Sequence, residues 1–502
     1  MDRVVATESG LLADALAAAG HHLPMPCRGR HTCGKCGVYV AGEVEQPTPV
    51  EAALLARTQQ PELPGYTHRL ACLARIHGEV NAVASSISGV AVADVGMRLA
   101  SYDGDAPDTL GCAIDIGTTT VTVFLFRLGD RERLADVSQL NHQAVHGADV
   151  LSRINAANSN GVAALQKLIV DQVASMLEQT LQKAAARPSD VTRVTIAGNT
   201  TMLHLLTGRD VRSLGVYPFT PETLFGDTLP ASTLFQDLTH AELYLPPGIS
   251  TYVGPDITCG LLATGLDGNG RPELLVDVGT NGEMVLAADG LWCCSTAAGP
   301  AFEGAEISAG MPALPGAIED VWVEGDHLGF ATIGHKSAKG VCGTGLISAV
   351  DALLDLGVID ETGAMNTSTV ELGSSRISLT QADVRKLQLA KAAVAAGLDT
   401  LLHEAGLTPS DLTALHLAGG FGSYLQPRPA VGIGLIPQAL VDKTDSAGNT
   451  ALTGAVLLTL STAARRAAEE RAAQAREVAL ATHPVFTDRY IENMAFREES
   501  DD

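Results

Sequence analysis

The chain has 502 residues and carries 57 acidic against 33 basic side chains, a formal net charge of −24 at pH 7. This excess of negative charge disfavours nucleic acid and anionic membrane surfaces as partners, because both are themselves negative. No apolar run approaches the roughly 18 residues that a membrane-spanning helix needs, and the N-terminus MDRVVATESG lacks the pattern of a secretory signal. We therefore expect a cytoplasmic protein without a membrane partner.

The first distinctive feature is a set of four cysteines. Cys27, Cys33 and Cys36 lie within ten residues, and Cys72 follows after a further 35 residues. Cytoplasmic thiols stay reduced, so clustered cysteines there more often bind metal than form disulfides. Three clustered thiols and one distant thiol are typical of a plant-type [2Fe-2S] site, and the five-residue first gap resembles the adrenodoxin-like branch of that family. A zinc knuckle or a redox-inert set of thiols is the alternative interpretation.

These cysteines predict a first domain over residues 1–87, with a ferredoxin-like α+β (β-grasp) fold that holds the cluster. Residues 88–109 are rich in small residues, glycine and acids, and a weak strand pattern breaks down within them. We interpret this segment as a short linker.

An internal sequence repeat is the main feature of the rest of the chain. The segments LGCAIDIGTTTVTVFLF (110–126) and PELLVDVGTNGEMVLA (272–287) both place Asp-x-Gly-Thr between two apolar strands. Their aspartates, Asp115 and Asp277, lie 162 residues apart. Repetition at this spacing predicts two related lobes, over residues 110–265 and 266–502.

The chemistry of the repeated motif points to phosphate. Both motifs continue at strand period, so each predicts a hairpin and not the loop-to-helix turn of a Walker A motif. Amides and hydroxyls of such a turn bind phosphate oxygens, and the aspartate reaches Mg²⁺, usually through water. One such hairpin is often a purely structural turn, but two copies favour a nucleotide site. The candidate binding residues are Gly117, Thr118, Thr119, Thr120, Gly279, Thr280 and Asn281.

Two further motifs follow strand-like segments. LAGGFGSYL (417–425) contains glycines that allow close approach to a flat ligand such as adenine, or simply make a tight turn. Asn199, in TIAGNTTMLHLLTG (195–208), either reaches the cleft or caps the helix that follows. In this order the motifs resemble the phosphate-1, phosphate-2 and adenosine elements of the superfamily of acetate and sugar kinases, Hsp70 and actin. The corresponding adenosine residues are Gly419, Gly420, Phe421 and Gly422.

That resemblance implies a two-lobed α/β actin-like ATPase with ribonuclease H-like lobes. Residues 339–354 look like the helix that connects the lobes in this superfamily, with Gly343 and Thr344 at its start. ATP and Mg²⁺ are then the expected ligands. Asp115 and Asp277 are the expected catalytic carboxylates, with Asp277 holding Mg²⁺ or positioning water and Glu283 as a second candidate for that role.

The whole arrangement, with the strings AGNTTM, GPAFEGAEISAGMPALPGAIE, CGTGLI and AGGFG, resembles the reductive activators of corrinoid proteins. The resemblance implies ATP-dependent electron transfer from the [2Fe-2S] cluster to cob(II)alamin, which regenerates cob(I)alamin for methyl transfer. It implies a corrinoid protein of a methyltransferase system as partner and an upstream reductase as electron donor. Larger members carry an extra domain for which the linker leaves no room, so a homodimer is an open expectation.

Two other functions stay open at this point. The first is an ATP-driven electron donor to another low-potential acceptor, as in the activators of hydroxyacyl-CoA dehydratases, but those hold their cluster between two subunits on a helix and not on a fused plant-type domain. A small-molecule kinase of the same fold with a redox-sensing cluster is the second alternative. The loop 295–310 either faces the corrinoid partner or is a tight connection in the cleft. The remaining five cysteines are interpreted as small core residues.

Overall fold

The computed structural model describes residues 2–6, 10–18, 31, 36–55, 65–84, 109–147, 149–422 and 425–496. The chain divides into two compact units, Met1–Asp103 and Gly104–Asp502, which are built around separate hydrophobic cores. No helix in these described ranges is long and apolar enough to cross a lipid bilayer.

The first unit is a small sheet covered by a helix. Leu12 and Leu16 lie four residues apart on one helical face and are both fully buried against the sheet. The sheet order is β1-β5-β3-β4, with β2 beside β5. This is the predicted ferredoxin-like α+β fold. Its elements are β1 (Asp2–Ala6), β2 (Gly10–Leu11), α1 (Leu12–Ala18), β3 (Gly37–Val44), α2 (Pro49–Leu55), β4 (Thr67–Leu70) and β5 (Arg75–Ala84).

The second unit begins with a lobe built on a six-stranded sheet of order β10-β11-β9-β6-β7-β8. Its strands are β6 (Leu110–Ile116), β7 (Thr120–Arg127), β8 (Arg133–Leu140), β9 (Val191–Gly198), β10 (Asp227–Pro230) and β11 (Glu242–Leu245). Its helices are α3 (Val150–Asn160), α4 (Val162–Lys183), α5 (Thr200–Thr207) and α6 (Pro255–Thr264). The central strands are apolar on both faces, as expected for strands that are covered on both sides.

The second lobe has its own six-stranded sheet, of order β21-β20-β12-β13-β14-β22, with two smaller sheets beside it, β16-β15-β17 and β18-β19. Its strands are β12 (Glu273–Val278), β13 (Gly282–Ala288), β14 (Gly290–Thr296), β15 (Ala317–Glu324), β16 (His327–Thr332), β17 (Gly340–Val341), β18 (Thr369–Glu371), β19 (Ser378–Thr380), β20 (Ala414–Ala418), β21 (Thr444–Gly448) and β22 (Arg476–Glu477). Its helices are α7 (Gly343–Asp355), α8 (Gln381–Ala405), α9 (Gly419–Gly422), α10 (Pro427–Gly432), α11 (Thr450–Leu460), α12 (Thr462–Gln474) and α13 (Pro484–Glu492).

The two large sheets repeat one topology. In the first, β6 pairs antiparallel with β7 and parallel with β9, and Asp115 lies opposite Ala197 of β9. In the second, β12 pairs antiparallel with β13 and parallel with β20, and Asp277 lies opposite Ala418. The predicted duplication is therefore confirmed at the level of strand pairing, and each aspartate is the second-to-last residue of the first strand of its hairpin.

Helices α6 and α11 pack against each other, and α11 also contacts β6 and β9 of the first lobe. A Cβ atom at Gly454 in α11 would lie only 2.2 Å from the carbonyl oxygen of Cys259 in α6. A side chain at this position would therefore push the helices apart, since glycine alone permits such an approach.

The prediction that residues 339–354 connect the lobes is wrong. Helix α7, which these residues form, packs mainly on β15 of the second lobe. Its glycine Gly345 packs closely, but against the Ile318 carbonyl, which an added Cβ would approach to 2.1 Å. The glycine of this segment thus marks a close contact within the second lobe. The two lobes are instead linked by α6 and α11.

The five cysteines outside the predicted cluster are buried, as expected of small core residues. Cys293 and Cys294 are adjacent on β14 and belong to two different hydrophobic clusters, because neighbouring residues of a strand point to opposite faces. Burial raises the pKa of the Cys112 and Cys293 thiols to about 12, which keeps them protonated and unreactive. The full set is Cys112, Cys259, Cys293, Cys294 and Cys342.

Candidate nucleotide and iron-sulfur sites

Two of the four predicted cluster cysteines are described by the structure, and they lie side by side. Cys36 precedes β3 and Cys72 follows β4, and these strands pair antiparallel, so the pairing brings the two residues to the same edge of the sheet. Their sulfur atoms are 3.2 Å apart, and both side chains are buried. Cys27 and Cys33 lie outside the described residues. Paired, shielded thiols are the ligand type that iron-sulfur clusters use, so Cys36 and Cys72 fit the predicted cofactor.

The turn that carries Asp115 is held by side chains from three other elements. Asn141 Nδ2 donates to the Gly117 carbonyl at 2.9 Å, and Arg153 Nη2 donates to the Thr118 carbonyl at 2.5 Å. Asn199 Nδ2 reaches the Thr118 hydroxyl at 3.3 Å, while its Oδ1 accepts from the first turn of α5. Asn199 thus both caps its helix and contacts the turn. These bonds make the first turn rigid.

The second turn has a comparable framework. The Gly279 amide donates to the Asn281 carbonyl and the Gly299 amide donates to the Thr280 carbonyl, each at 2.9 Å. Gly419, at the end of β20, has a φ of +85°, and a Cβ there would lie 2.4 Å from Asp277 Oδ1. The start of the Gly-Gly-Phe-Gly motif therefore lies directly against the Asp277 carboxylate, in a conformation that glycine adopts readily.

The remaining residues predicted to bind the nucleotide lie in three other elements. Gly420 and Gly422 belong to the short helix α9, and the side chain of Phe421 lies outside those that the structure describes. Gly343 and Thr344 begin α7, which packs on β15 and on the short 3₁₀ helix Pro300–Glu303. Thr120 opens β7 directly after the first turn.

Four carboxylates converge between the two hairpins. Burial raises the pKa of Asp115 to about 6 and that of Asp277 to about 7, and the negative charge of Asp115 adds to the effect on Asp277. Asp256 has its pKa raised to about 7 by burial and by the charges of Asp277 and Asp115. Glu283, opposite Asp277 in the hairpin, has its pKa raised by burial and by Asp256 and Asp277. We name these four residues the acid cluster.

Repulsion within the acid cluster calls for a cation, because carboxylates held together in a partly dry site disfavour their own ionisation. Among the described residues, no group of three or more histidine, cysteine or acidic side chains could by itself hold a metal ion. Water or nucleotide oxygens would have to complete the coordination of Mg²⁺, which is the usual way in which this ion is bound.

Sequence reasoning identified three members of the acid cluster but missed Asp256. This residue is in the first turn of α6, in the string VGPDIT, where proline and an acid are ordinary signs of a helix start. Asp256 reaches the site because Gly254, two residues before it, has no side chain. A Cβ added at Gly254 would lie 2.8 Å from the Thr200 amide nitrogen and 2.7 Å from Asp256 Oδ1. The N-termini of α5 and α6 therefore meet beside the cluster.

Asn449 is a second residue that the sequence did not reveal. Its Oδ1 caps α11 by accepting from the Leu452 amide at 2.8 Å, and its Nδ2 donates to Asp115 Oδ2 at 2.8 Å. The hydrogen bond to Asn449 partly opposes the rise in the pKa of Asp115. The helix that links the lobes is thereby attached directly to the first hairpin.

Glu303 joins the two turns. The Thr119 hydroxyl donates to Glu303 Oε2 at 2.8 Å, across 184 residues of sequence. A Cβ added at Gly279, in the second turn, would lie 3.7 Å from Glu303 Oε1. Burial raises the pKa of Glu303, and contacts with Thr119, Thr280 and the Arg153 cation oppose that rise. Its signal in the sequence is the string GPAFEGAEISAG, which contributes to the family resemblance but does not single out Glu303.

Comparison with known proteins agrees with this architecture. Residues 2–77 match the family described as the 2Fe-2S iron-sulfur cluster binding domain, residues 110–269 the RACo middle region, and residues 271–502 the C-terminal domain of RACo, the ASKHA domain. The chain is 32% identical over 418 residues to the corrinoid activation enzyme RamQ of Eubacterium limosum, which covers 77% of this chain and 70% of RamQ. The chain belongs to the RACo family.

Other RACo relatives extend the similarity. A protein of Methanosarcina barkeri named [Co(II) methylated amine-specific corrinoid protein] reductase is 29% identical over 375 residues, or 68% of either chain. A solved structure titled reductive activator for corrinoid, iron-sulfur protein has a TM-score of 0.71 at 28% identity and covers 97% of this chain and 95% of its own. The predicted family, and the predicted order of a [2Fe-2S] domain followed by an actin-like ATPase, are confirmed.

Proposed function

We propose that this protein reactivates a corrinoid protein by transferring one electron to cob(II)alamin, with ATP supplying the driving force, and so regenerates cob(I)alamin for methyl transfer. The observation that carries the proposal is the pair of matched hairpins whose aspartates, Asp115 and Asp277, meet in one acid cluster. They do so in a chain that also contains a [2Fe-2S] binding domain. RamQ and the Methanosarcina barkeri reductase are named for action on corrinoid systems.

The nucleotide site follows from the hairpins. In our proposal the turns Gly117–Thr120 and Gly279–Asn281 hold the phosphates with their amides and hydroxyls, and the acid cluster holds Mg²⁺ through water. Gly419, which lies against Asp277, starts the motif that we assign to the adenosine. A divalent cation at this place would offset the repulsion that, together with burial, raises the pKa values of Asp256, Asp277 and Glu283.

The need for ATP follows from the energetics of the acceptor. Cob(II)alamin is very hard to reduce, and each 59 mV of an uphill one-electron step lowers the equilibrium constant about tenfold. ATP shifts such an equilibrium only if it contacts two conformations differently. The site provides this difference, because its two turns belong to different lobes linked by α6 and α11. Closing the cleft on the phosphates would change the surface presented to the corrinoid protein.

The [2Fe-2S] cluster supplies the single electron when bound. Cys36 and Cys72 would hold it together with Cys27 and Cys33, and burial shields the pair of described sulfurs from water. An upstream reductase would return an electron to the oxidised cluster. The proposal places the reaction in the cytoplasm, where thiols stay reduced. A homodimeric active form is tested separately, by measuring the mass of the purified protein in solution.

The test is anaerobic spectroscopy of a corrinoid protein held as cob(II)alamin, mixed with this protein and a chemical reductant. We expect the cob(I)alamin absorption to appear only with ATP and Mg²⁺ present. Asp115→Asn and Asp277→Asn should abolish it while leaving the iron-sulfur spectrum intact. The matched control is Asp289→Asn, at an exposed turn position in the same sheet, which should behave as the unmodified protein.

A cob(I)alamin signal that forms equally well without ATP would contradict the proposal. So would full activity of the Asp115→Asn, Asp277→Asn double variant. Transfer of the γ-phosphate to an added sugar or carboxylic acid at a rate above ATP hydrolysis would instead support a small-molecule kinase.

A further inference from the structure

Hydrolysis of ATP requires a group that orients the attacking water, and the acid cluster is poorly placed for this task. Burial raises the pKa values of Asp256, Asp277 and Glu283, and the charges of neighbouring carboxylates raise them further, so these side chains lie close to one another and suit a shared cation. Glu283 is also one of the most buried of the four, with 8% of its surface exposed. A carboxylate that helps to hold Mg²⁺ is not free to accept a proton from water.

Glu303 has different neighbours. Its carboxylate accepts from the Thr119 hydroxyl in the first turn and lies beside Gly279 in the second. A phosphate chain held by both turns must end between them, which is where this carboxylate lies. The side chain is partly exposed, so that water can reach it.

Burial raises the pKa of Glu303, and its hydrogen bonds with Thr119 and Thr280, together with the charge of Arg153, oppose that rise. Arg153 is fully buried and is one of the groups that oppose the rise in the pKa of Glu303. Burial lowers the pKa of Arg153 to about 10, which still leaves the guanidinium positive at neutral pH. Arg153 is also fixed by its bond to the Thr118 carbonyl. An ionised carboxylate beside the phosphate turns is the state that a general base needs.

The backbone around Glu303 is fixed as well. Glu303 is the last residue of the 3₁₀ helix Pro300–Glu303, and the Gly299 amide that precedes this helix donates to the Thr280 carbonyl of the second turn at 2.9 Å. Gly304 ends the helix with a φ of +76°, and a Cβ there would lie 2.4 Å from the Met311 carbonyl. The carboxylate is thus held at a fixed place relative to the second turn, as a catalytic group must be.

We propose that Glu303 is the catalytic carboxylate that orients the attacking water for ATP hydrolysis. This inference rests on the proposed function, because it concerns the same nucleotide site. The water oxygen forms a bond to the γ-phosphorus, and the bond from that phosphorus to the bridging oxygen breaks, with its electron pair remaining on ADP. The proton of the water passes to the Glu303 carboxylate and from there to solvent, leaving inorganic phosphate.

The experiment compares Glu303→Gln with Glu306→Gln, a control at an exposed position in the same loop. The amide oxygen of the first variant still accepts from Thr119, while the amide NH2 removes the charge, the basicity and one acceptor for the contact with Thr280. We expect kcat for ATP hydrolysis to fall by about 100-fold or more, in the range of general-base catalysis. The Kd of a fluorescent ATP analogue should stay within about threefold, and nucleotide extracted after a single-turnover mixing should remain ATP.

Unchanged hydrolysis by Glu303→Gln would overturn the inference, and so would a loss that appears entirely as weaker nucleotide binding. If that variant fails to fold, judged by circular dichroism, Glu303→Asp is the second test, since a carboxylate shorter by one methylene should also lose kcat. An unmodified protein that neither binds nor hydrolyses ATP would refute the proposed function itself. Hydrolysis by the unmodified protein together with hydrolysis by both variants would refute only the role of Glu303.

Discussion

Replacing Asp277 by asparagine should stabilise the nucleotide-free protein while it destroys the nucleotide site. The pKa of Asp277 is raised from 3.8 to about 7 by burial and by the charge of Asp115, so the folded state disfavours the ionised carboxylate. This rise in the pKa corresponds to a ceiling of about 4 kcal/mol in the free energy of unfolding. Partial exposure of the side chain to water reduces this, and we expect Asp277→Asn to raise the free energy of unfolding by about 1–2 kcal/mol at pH 8.

The sign of the pH dependence follows from the raised pKa. Above pH 7 the carboxyl is ionised in both folded and unfolded states, and burial destabilises the charge only in the folded state. The gain in the free energy of unfolding of the variant is therefore largest there. Below about pH 4 the carboxyl is protonated in both states and the advantage is lost. With Mg²⁺ and ATP present, the unmodified protein should become more stable than the variant, because only the unmodified protein gains stability from the bound ligand.

The assay is thermal unfolding of the unit formed by residues 104–502 within the full chain, followed by circular dichroism at pH 8 and pH 4.5. We expect a rise in Tm of about 2–4 °C at pH 8 and only about a quarter of that rise at pH 4.5, where the unfolded carboxyl is still largely ionised but the folded one is protonated. Asp289→Asn, at an exposed turn, should change the free energy of unfolding by less than about 0.5 kcal/mol at either pH. A variant that is less stable at pH 8, or equally stabilised at both pH values, would refute the reasoning.

Three further changes test other parts of the structure. Asn449→Ala removes both the cap of α11 and the hydrogen bond to Asp115, and we expect urea unfolding to show a loss of about 1–3 kcal/mol; no loss would contradict the assigned bonds. Gly454→Ala places a Cβ 2.2 Å from the Cys259 carbonyl, so it should cost at least about 1–3 kcal/mol and lower the ATPase rate. Unchanged ATPase activity would argue against a link through these helices. Cys72→Ser should abolish the visible iron-sulfur absorption but leave ATP hydrolysis intact, and a parallel loss of hydrolysis would show that the two sites do not act separately.

The repeated hairpins were predictable because their signal is local. An apolar strand, Asp-x-Gly-Thr and a second apolar strand specify a hairpin whatever surrounds it, and two copies reveal the duplicated fold. The pairing of Asp115 and Asp277 in one cleft then follows from the symmetry of the lobes. Burial of the non-cluster cysteines was predictable for a similar reason, since apolar neighbours in the sequence predict apolar neighbours in the core.

The missed residues depend on packing between distant segments. Asp256 and Asn449 are ordinary residues of helix starts, and only the close approach of Gly254 to the start of α5 and the packing of α11 on β6 bring them to the site. Glu303 lies in a loop whose sequence specifies turns but not where they are placed. The wrong assignment of residues 339–354 arose because Gly345 signals close packing without saying which element is packed against it. Sequence periodicity contains no information about such long-range choices.

The near-contact between Gly454 and the Cys259 carbonyl has a mechanical consequence. Because no side chain separates the two backbones here, α6 and α11 have no room to come closer. Asp256 at the start of α6 and Asn449 at the start of α11 connect this contact to the acid cluster. A change in the angle between these two helices would therefore move the acid cluster and the two lobes together.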